Sequence, residues 1–122
     1  MEIRIYYDST DAGKIVYHTE YIKFCEQARS EIFFKKNIFF ENEGFVVTEL
    51  HAKFISSAKL GDIIKVETKL QKLTKVSAVL LQNILKNDKV IYTQEVKLAF
   101  LKDGKISKIP KKYLEVLNEF KK

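Results

Sequence analysis

The chain has 122 residues, 46% of them hydrophobic and 31% charged, and carries 22 Lys and Arg against 16 Asp and Glu for a net charge of +6. That length suits one core, read as a single domain over 1–122, and the composition excludes a disordered chain. No apolar run approaches the roughly 20 residues needed to cross a bilayer.

A single cysteine excludes an intrachain disulfide. The N-terminus enters strand-like alternation without a basic and then apolar leader, so the cytoplasm is the expected compartment. The positive charge favours anionic partners. Yet the lysines are interleaved with acids, and only Lys35-Lys36, Lys111-Lys112 and Lys121-Lys122 stand in pairs. A solvated basic surface is the plain reading.

Residues 2–7 alternate as a first strand, and 8–18 read as a loop. A helix is predicted from about Thr19 to Lys36, because Tyr21, Cys25, Ala28 and Ile32 recur on one face. Ile22, Phe24 and Phe33 widen that stripe, which predicts a mostly buried helix. Glu20 in the first turn, Lys35 and Lys36 in the last, and Asn37 as a left-handed cap all suit its ends.

From Gly44 the period becomes two. Val46, Leu50, Ala52 and Phe54 are assigned to one face, with Glu49, His51 and Lys53 on the other. A second strand, 62–73, opposes Ile64, Val66 and Leu70 to Lys65, Glu67 and Lys69. Two longer strands, 75–85 and 89–101, flank the turn-type sequence KNDK. The first is apolar on both faces (Val76, Ala78, Leu80 against Val79, Leu81, Leu85), as for a central or partner-covered strand. Asp103-Gly104 marks a hairpin leading to KISKI, and Pro110 opens a short helix with Tyr113, Leu117 and Phe120 on one side. One long helix against about five antiparallel strands is an α+β architecture, and its open sheet edge invites a second copy.

The loop 6-YYDSTDAGKIVYHTEY-21 is richer than a connector requires. Read alone, Asp8 and Asp11 are Asx-turn residues ahead of a helix. Tyr7, Tyr17 and Tyr21 read as packing or pocket wall. Glu26 and Arg29, three apart on a helix, read as an ion pair, and His51 as an exposed strand residue. Cys25 and His18 are about 10 Å apart along the helix axis, too far for a nucleophile–base pair, so Cys25 reads as core. The loop lacks calcium-loop and phosphate-loop spacing, and no His/Cys cluster suits zinc; no metal or cofactor is expected. RNA-binding and helix-turn-helix signatures are missing too, so no nucleic-acid partner is expected.

The segment YYDSTDAGKIVYHTEYIKFCEQAR closely resembles the signature of the 4-hydroxybenzoyl-CoA thioesterase branch of the hotdog superfamily. Within it, the resemblance is to small bacterial acyl-CoA thioesterases associated with the Tol–Pal system. Tyr7, Asp11, Gly13, Tyr17, His18, Tyr21, Glu26 and Arg29 fall on the family's places, and SAKLGD at 57–62 resembles a later turn. Ser9 stands where relatives often carry an acid, and Lys14 where a small residue is common.

The resemblance implies a hotdog fold, with a long central helix packed against a curved antiparallel sheet. It also implies hydrolysis of an acyl-CoA thioester. Asp11 would be general base or nucleophile, with partial burial raising its pKa. The backbone N–H of His18, or of a neighbour, would hold the oxyanion at the helix N-terminus. The His18 imidazole would contact the thioester or orient Asp11, or its backbone alone would act, and Tyr7 would position the carboxylate through its hydroxyl. Gly13 would allow close backbone approach. Tyr17 and Lys59 complete the expected substrate contacts, Lys59 toward the CoA phosphates. A homodimer, assembling further to a tetramer, and association with cell-envelope or lipid-synthesis proteins are the implied partners. An acyl-carrier-protein thioesterase, a thioester hydratase and a non-catalytic basic module remain the alternatives.

Overall fold

A computed structural model describes residues 1–121. Its elements are β1 (Glu2–Arg4), α1 (His18–Phe34), β2 (Glu43–Phe54), β3 (Ile63–Leu73), β4 (Ser77–Lys86), β5 (Lys89–Lys102), β6 (Lys105–Ile106) and α2 (Lys111–Asn118). The strands form one antiparallel sheet in the order β1-β3-β4-β5-β2, with β6 folded back onto β5. With α1 laid across it, this is the hotdog arrangement.

The hairpins follow from their turn residues. Asn87 and Asp88 take φ of 50° and 63° between β4 and β5, the left-handed pair that matches strand twist. Asp103 and Gly104 do the same between β5 and β6 at 51° and 79°. Register shifts interrupt three ladders, at Val47/Glu49, Leu70/Lys72 and Ile84/Leu85. Each extra residue bends its strand and sharpens the twist, so the sheet curls around the helix.

The shift at Val47/Glu49 corrects the assignment of β2 faces. Without it, Val46 would share a side with Leu50. With Thr48 bulged out, Phe45 joins Leu50 on the core while Val46 is 40% exposed. The first strand is also shorter than 2–7, although Ile5 still donates its amide to Asp62 O at 2.8 Å.

Helix α1 stops at Phe34, so Lys35 and Lys36 lie just beyond it. Asn37 takes the expected left-handed turn at φ 60°. The amides of Asn37 and Ile38 then close onto Phe34 O and Phe33 O, satisfying orphan carbonyls. Tyr21, Phe24, Cys25, Ala28 and Phe33 are buried, but Ile22 and Ile32 are only half-buried. The helix is therefore less enclosed than its apolar stripe predicts, because these two isoleucines line an open groove beside β2.

Two apolar clusters make up the core. One gathers Tyr21, Cys25, Ile84 and Tyr92; the other gathers Phe33, Leu80, Val96, Phe100, Tyr113 and Leu117 beneath α2. Between them lies a polar layer. Gln82 and Gln94, paired across β4 and β5, are 0% and 1% exposed, and Arg29 reaches in from α1. On the other side of the sheet Val79, Leu81 and Leu85 remain partly exposed. Among the described residues no helix is long and apolar enough to cross a membrane.

Candidate active site

The loop between β1 and α1 is held by its own backbone and by the turn at 56–62. A short 3-10 turn, Tyr7–Ser9, contains Asp8 and ends with the Thr10 amide and hydroxyl both donating to Tyr7 O. The Asp11 amide donates to Ile15 O at 3.0 Å and that of Tyr17 to Ser9 O at 3.0 Å, which closes a small knot ahead of the helix. The second turn then locks it: Val16 N–H donates to Ala58 O, Leu60 N–H donates to Lys14 O, and Ile15 pairs with Lys59. Residues distant in sequence are thereby fixed side by side, with Lys59 next to the Asp11 loop.

Asp11 does form the Asx-turn that local reading expects. Its Oδ1 accepts the amides of Gly13 at 2.8 Å and Ile15 at 3.3 Å, while Oδ2 has no partner among the described residues. One oxygen is thus anchored and the other presented. Asp11 is exposed in the single chain, so the expected partial burial is not met within one copy. Gly13 is close to the carboxylate itself: a Cβ there would sit 3.3 Å from Asp11 Oδ1. Lys14 carries the loop's left-handed geometry at φ 63°, a conformation that an L side chain adopts at a cost.

His18 begins α1, with Tyr17 in extended geometry before it and no side chain capping the helix. The Glu20 amide bonds to Tyr17 O, whereas the amides of His18 and Thr19 have no protein acceptor among the described residues. Two N–H donors at the positive end of the helix dipole therefore open beside Asp11's loop. The imidazole of His18 packs between Tyr17, 4.6 Å between ring centroids, and the edge of Phe54 at 6.2 Å. It makes no hydrogen bond to Asp11. Nor does Tyr7, a residue 68% exposed; backbone amides, not the Tyr7 hydroxyl, orient the carboxylate.

Tyr21 and Phe54 matter more than the sequence reveals. The Tyr21 hydroxyl accepts the buried Ala58 amide at 2.9 Å, which ties α1 to the turn bearing Lys59. Its ring stacks on Tyr92 and meets Phe54 edge-on. Phe54 ends β2 and packs on His18, Tyr21 and Tyr92. Only a long-range contact assigns it that role, and local periodicity carries no such signal. Asp62 secures the same turn: it accepts the Lys59 amide at 2.9 Å and pairs with Lys86 at 2.8 Å. Burial alone would raise its pKa, but the Lys86 and Lys59 contacts together hold it below the usual carboxylate range.

Farther along α1, a groove of about 520 Å³ runs between the helix and β2. Ile22, one turn past His18, stands at one end and Phe33, Phe45 and Leu117 at the other. Glu26 and Arg29 both line it, but the expected ion pair between them is not formed. Arg29 Nη1 instead donates to Gln82 Oε1 at 2.9 Å, because the glutamine is fixed in the buried layer and offers a desolvated acceptor.

An aspartate with one anchored oxygen, in the loop that runs into an uncapped helix start, suits attack on an acyl carbonyl. Residues 13–92 match the thioesterase superfamily. The chain belongs to that family. An acyl-CoA thioesterase YbgC of Helicobacter pylori is 38% identical over 97% of this chain and 98% of its own length. Its counterpart in Haemophilus influenzae is 32% identical over 88% of this chain and 83% of its own length. Among solved structures, a hypothetical protein from Aquifex aeolicus superposes with a TM-score of 0.89 at 26% identity, covering 96% of this chain and 97% of that one. A gentisyl-coenzyme A thioesterase with TM-score 0.84 and 21% identity, covering 95% and 97%, shares the fold. The superfamily match begins at Gly13, in the loop that carries Asp11.

Proposed function

We propose that this thioesterase hydrolyses acyl-CoA thioesters to a free acid and CoA. The observation that carries the reading is the Asp11 loop: one carboxylate oxygen is held by the Gly13 and Ile15 amides, in the same segment that delivers the free amides of His18 and Thr19. The substrate carbonyl oxygen points at those amides, where the negative charge of the tetrahedral intermediate develops. Asp11 either takes a proton from the attacking water or attacks the carbonyl carbon itself to give a mixed anhydride that water opens. In both routes the carbon–sulfur bond breaks, the CoA thiolate leaves and is protonated, and one water is consumed; its oxygen enters the acid directly, or by way of Asp11 over successive turnovers when the anhydride opens at the aspartyl carbon.

Tyr17 and His18 form one wall of the reacting centre, Tyr7 lies at its rim, and Lys59 and Lys14 meet the CoA phosphates. The names of the Helicobacter and Haemophilus relatives support CoA as the carrier. The chain works as a homodimer or tetramer in the cytoplasm, in association with cell-envelope or lipid-synthesis proteins. The open edge of β2, the exposed Phe54 and Ile55 at its end, and the exposed Tyr7 and Tyr17 in the Asp11 loop support a second copy that shields the site from water.

The test is a panel of acyl-CoA and acyl-carrier-protein thioesters with free-thiol detection and product masses. Release of CoA thiol with incorporation of one water oxygen into the acid is expected. Turnover confined to carrier-protein esters, or product masses showing hydration without thiol release, would overturn the reading.

A further inference from the structure

The polar layer that divides the core is satisfied everywhere except at its cation. Gln82 uses both ends: Oε1 accepts from Arg29 and from Gln94 Nε2 at 3.1 Å, and Nε2 donates to Cys25 O at 2.9 Å and Thr68 Oγ1 at 3.1 Å. Gln94 Oε1 accepts the Tyr92 hydroxyl at 2.7 Å. Arg29 has five N–H donors in its fork but hydrogen-bonds only to Gln82, and no carboxylate lies within ion-pair distance among the described residues. None of its other nitrogens is sealed off without a partner, so they remain accessible. A largely buried, unpaired guanidinium is costly unless an acceptor meets it.

The space beside Arg29 is apolar. Ile22, Phe33, Phe45, Val47, Leu80 and Leu98 line the groove, and Ile22 adjoins the helix start at His18. Arg29 lies eleven residues beyond His18, roughly 16 Å along the axis. A thioester carbonyl held at the His18 and Thr19 amides would send an acyl chain down this groove and bring its far end to the guanidinium.

We propose that this groove receives the distal part of the acyl group, and that Arg29 selects chains bearing a hydrogen-bond-accepting oxygen, carboxylate or hydroxyl, remote from the thioester. The proposal rests on the thioesterase reading and adds the substrate class. Apolar walls with one open cation complement a chain that is hydrocarbon along its length and polar at its tip. Glu26, exposed on the same groove, faces a carboxylate tip unfavourably, so the hydroxyl and carboxylate arms are read separately.

The experiment compares decanoyl-CoA, ω-hydroxydecanoyl-CoA and the mono-CoA ester of decanedioic acid on the full chain, as wild type, Arg29→Met and Arg29→Lys. Wild type is expected to favour at least one oxygenated ester by about tenfold in kcat/KM, as one charge-assisted hydrogen bond supplies. Arg29→Met should lower kcat/KM for the favoured oxygenated ester about tenfold relative to decanoyl-CoA and so erase that preference, and Arg29→Lys should retain part of it. Calorimetric titration of the non-hydrolysable thioethers S-decyl-CoA and S-(10-hydroxydecyl)-CoA reads the same preference without turnover. An Arg29-dependent preference in binding with no hydrolysis of any ester would sink the thioesterase reading and leave this one standing. Hydrolysis without any preference in wild type, or a preference that survives in Arg29→Met, would sink this one alone. So would a change in oligomer mass in Arg29→Met with selectivity intact, since a second copy would then be the cation's partner.

Discussion

The Gly13 amide donates to Asp11 Oδ1 at 2.8 Å, and a Cβ on Gly13 would press to within 3.3 Å of that same oxygen. The glycine therefore serves the carboxylate directly. Its φ does not demand glycine; the space does. Gly13→Ala is expected to displace the carboxylate by a few tenths of an ångström and lower kcat about tenfold, since misplacement by about 1 Å costs about a hundredfold. KM and thermal midpoint should change little. Steady-state kinetics beside a melting curve checks this, and an unchanged kcat would show that the carboxylate tolerates the methyl group.

Tyr21→Phe removes the only acceptor that the buried Ala58 amide has among the described residues. An orphaned buried donor costs about 1–3 kcal/mol, so urea unfolding should show a loss of that size with an unchanged m-value. The Lys59 turn should loosen with it, raising KM for CoA esters more than it lowers kcat. A variant as stable as the wild type would mean that water replaces the hydroxyl.

Acid should weaken the same turn. Asp62 has a folded-state pKa below its unfolded value, the Lys86 and Lys59 contacts outweighing the opposing effect of burial. The unfolded chain thus binds this proton first as pH falls. The stabilisation is complete above the ordinary carboxylate pKa of about 3.9 and is lost as pH drops through the lower folded value. Asp62→Asn should be less stable than wild type at neutral pH, and the gap should narrow steadily from about pH 4 downward. Melting midpoints of both proteins across that range test it; a constant gap would contradict the assignment.

Cys25 is 0% exposed, and burial pushes its thiol up to about 12 against a smaller opposing pull from Arg29. The thiolate is the reactive species, so iodoacetamide at neutral pH should leave the folded chain unmodified and label it fully in denaturant. Rapid labelling of the folded protein, read by intact mass, would show that α1 lifts from the sheet.

Much of this architecture is legible in the sequence because its determinants are local. The rhythm of Tyr21, Cys25 and Ala28 marks the buried face of α1, and Asn37 and the Asn87-Asp88 pair mark left-handed turns that the backbone adopts. The failures come from long-range geometry. Nothing near Thr48 announces a bulge, yet it reassigns Val46 to the outer face. Glu26, three residues before Arg29 on the same helix, is the partner that helical spacing offers, but Gln82, 53 residues away, is the one found because both meet in a desolvated layer. The same holds at the site. The Asx-turn that holds Asp11 is local and legible, whereas the Ala58–Tyr21 tie and the Phe54–His18 contact join segments more than 30 residues apart.

The most direct measurement is kcat for acyl-CoA hydrolysis by Asp11→Asn beside wild type. Asparagine keeps an oxygen for the Gly13 and Ile15 amides and removes the charge. The account predicts a fall of about a hundredfold or more with an unaltered melting midpoint. Turnover close to wild type would contradict it.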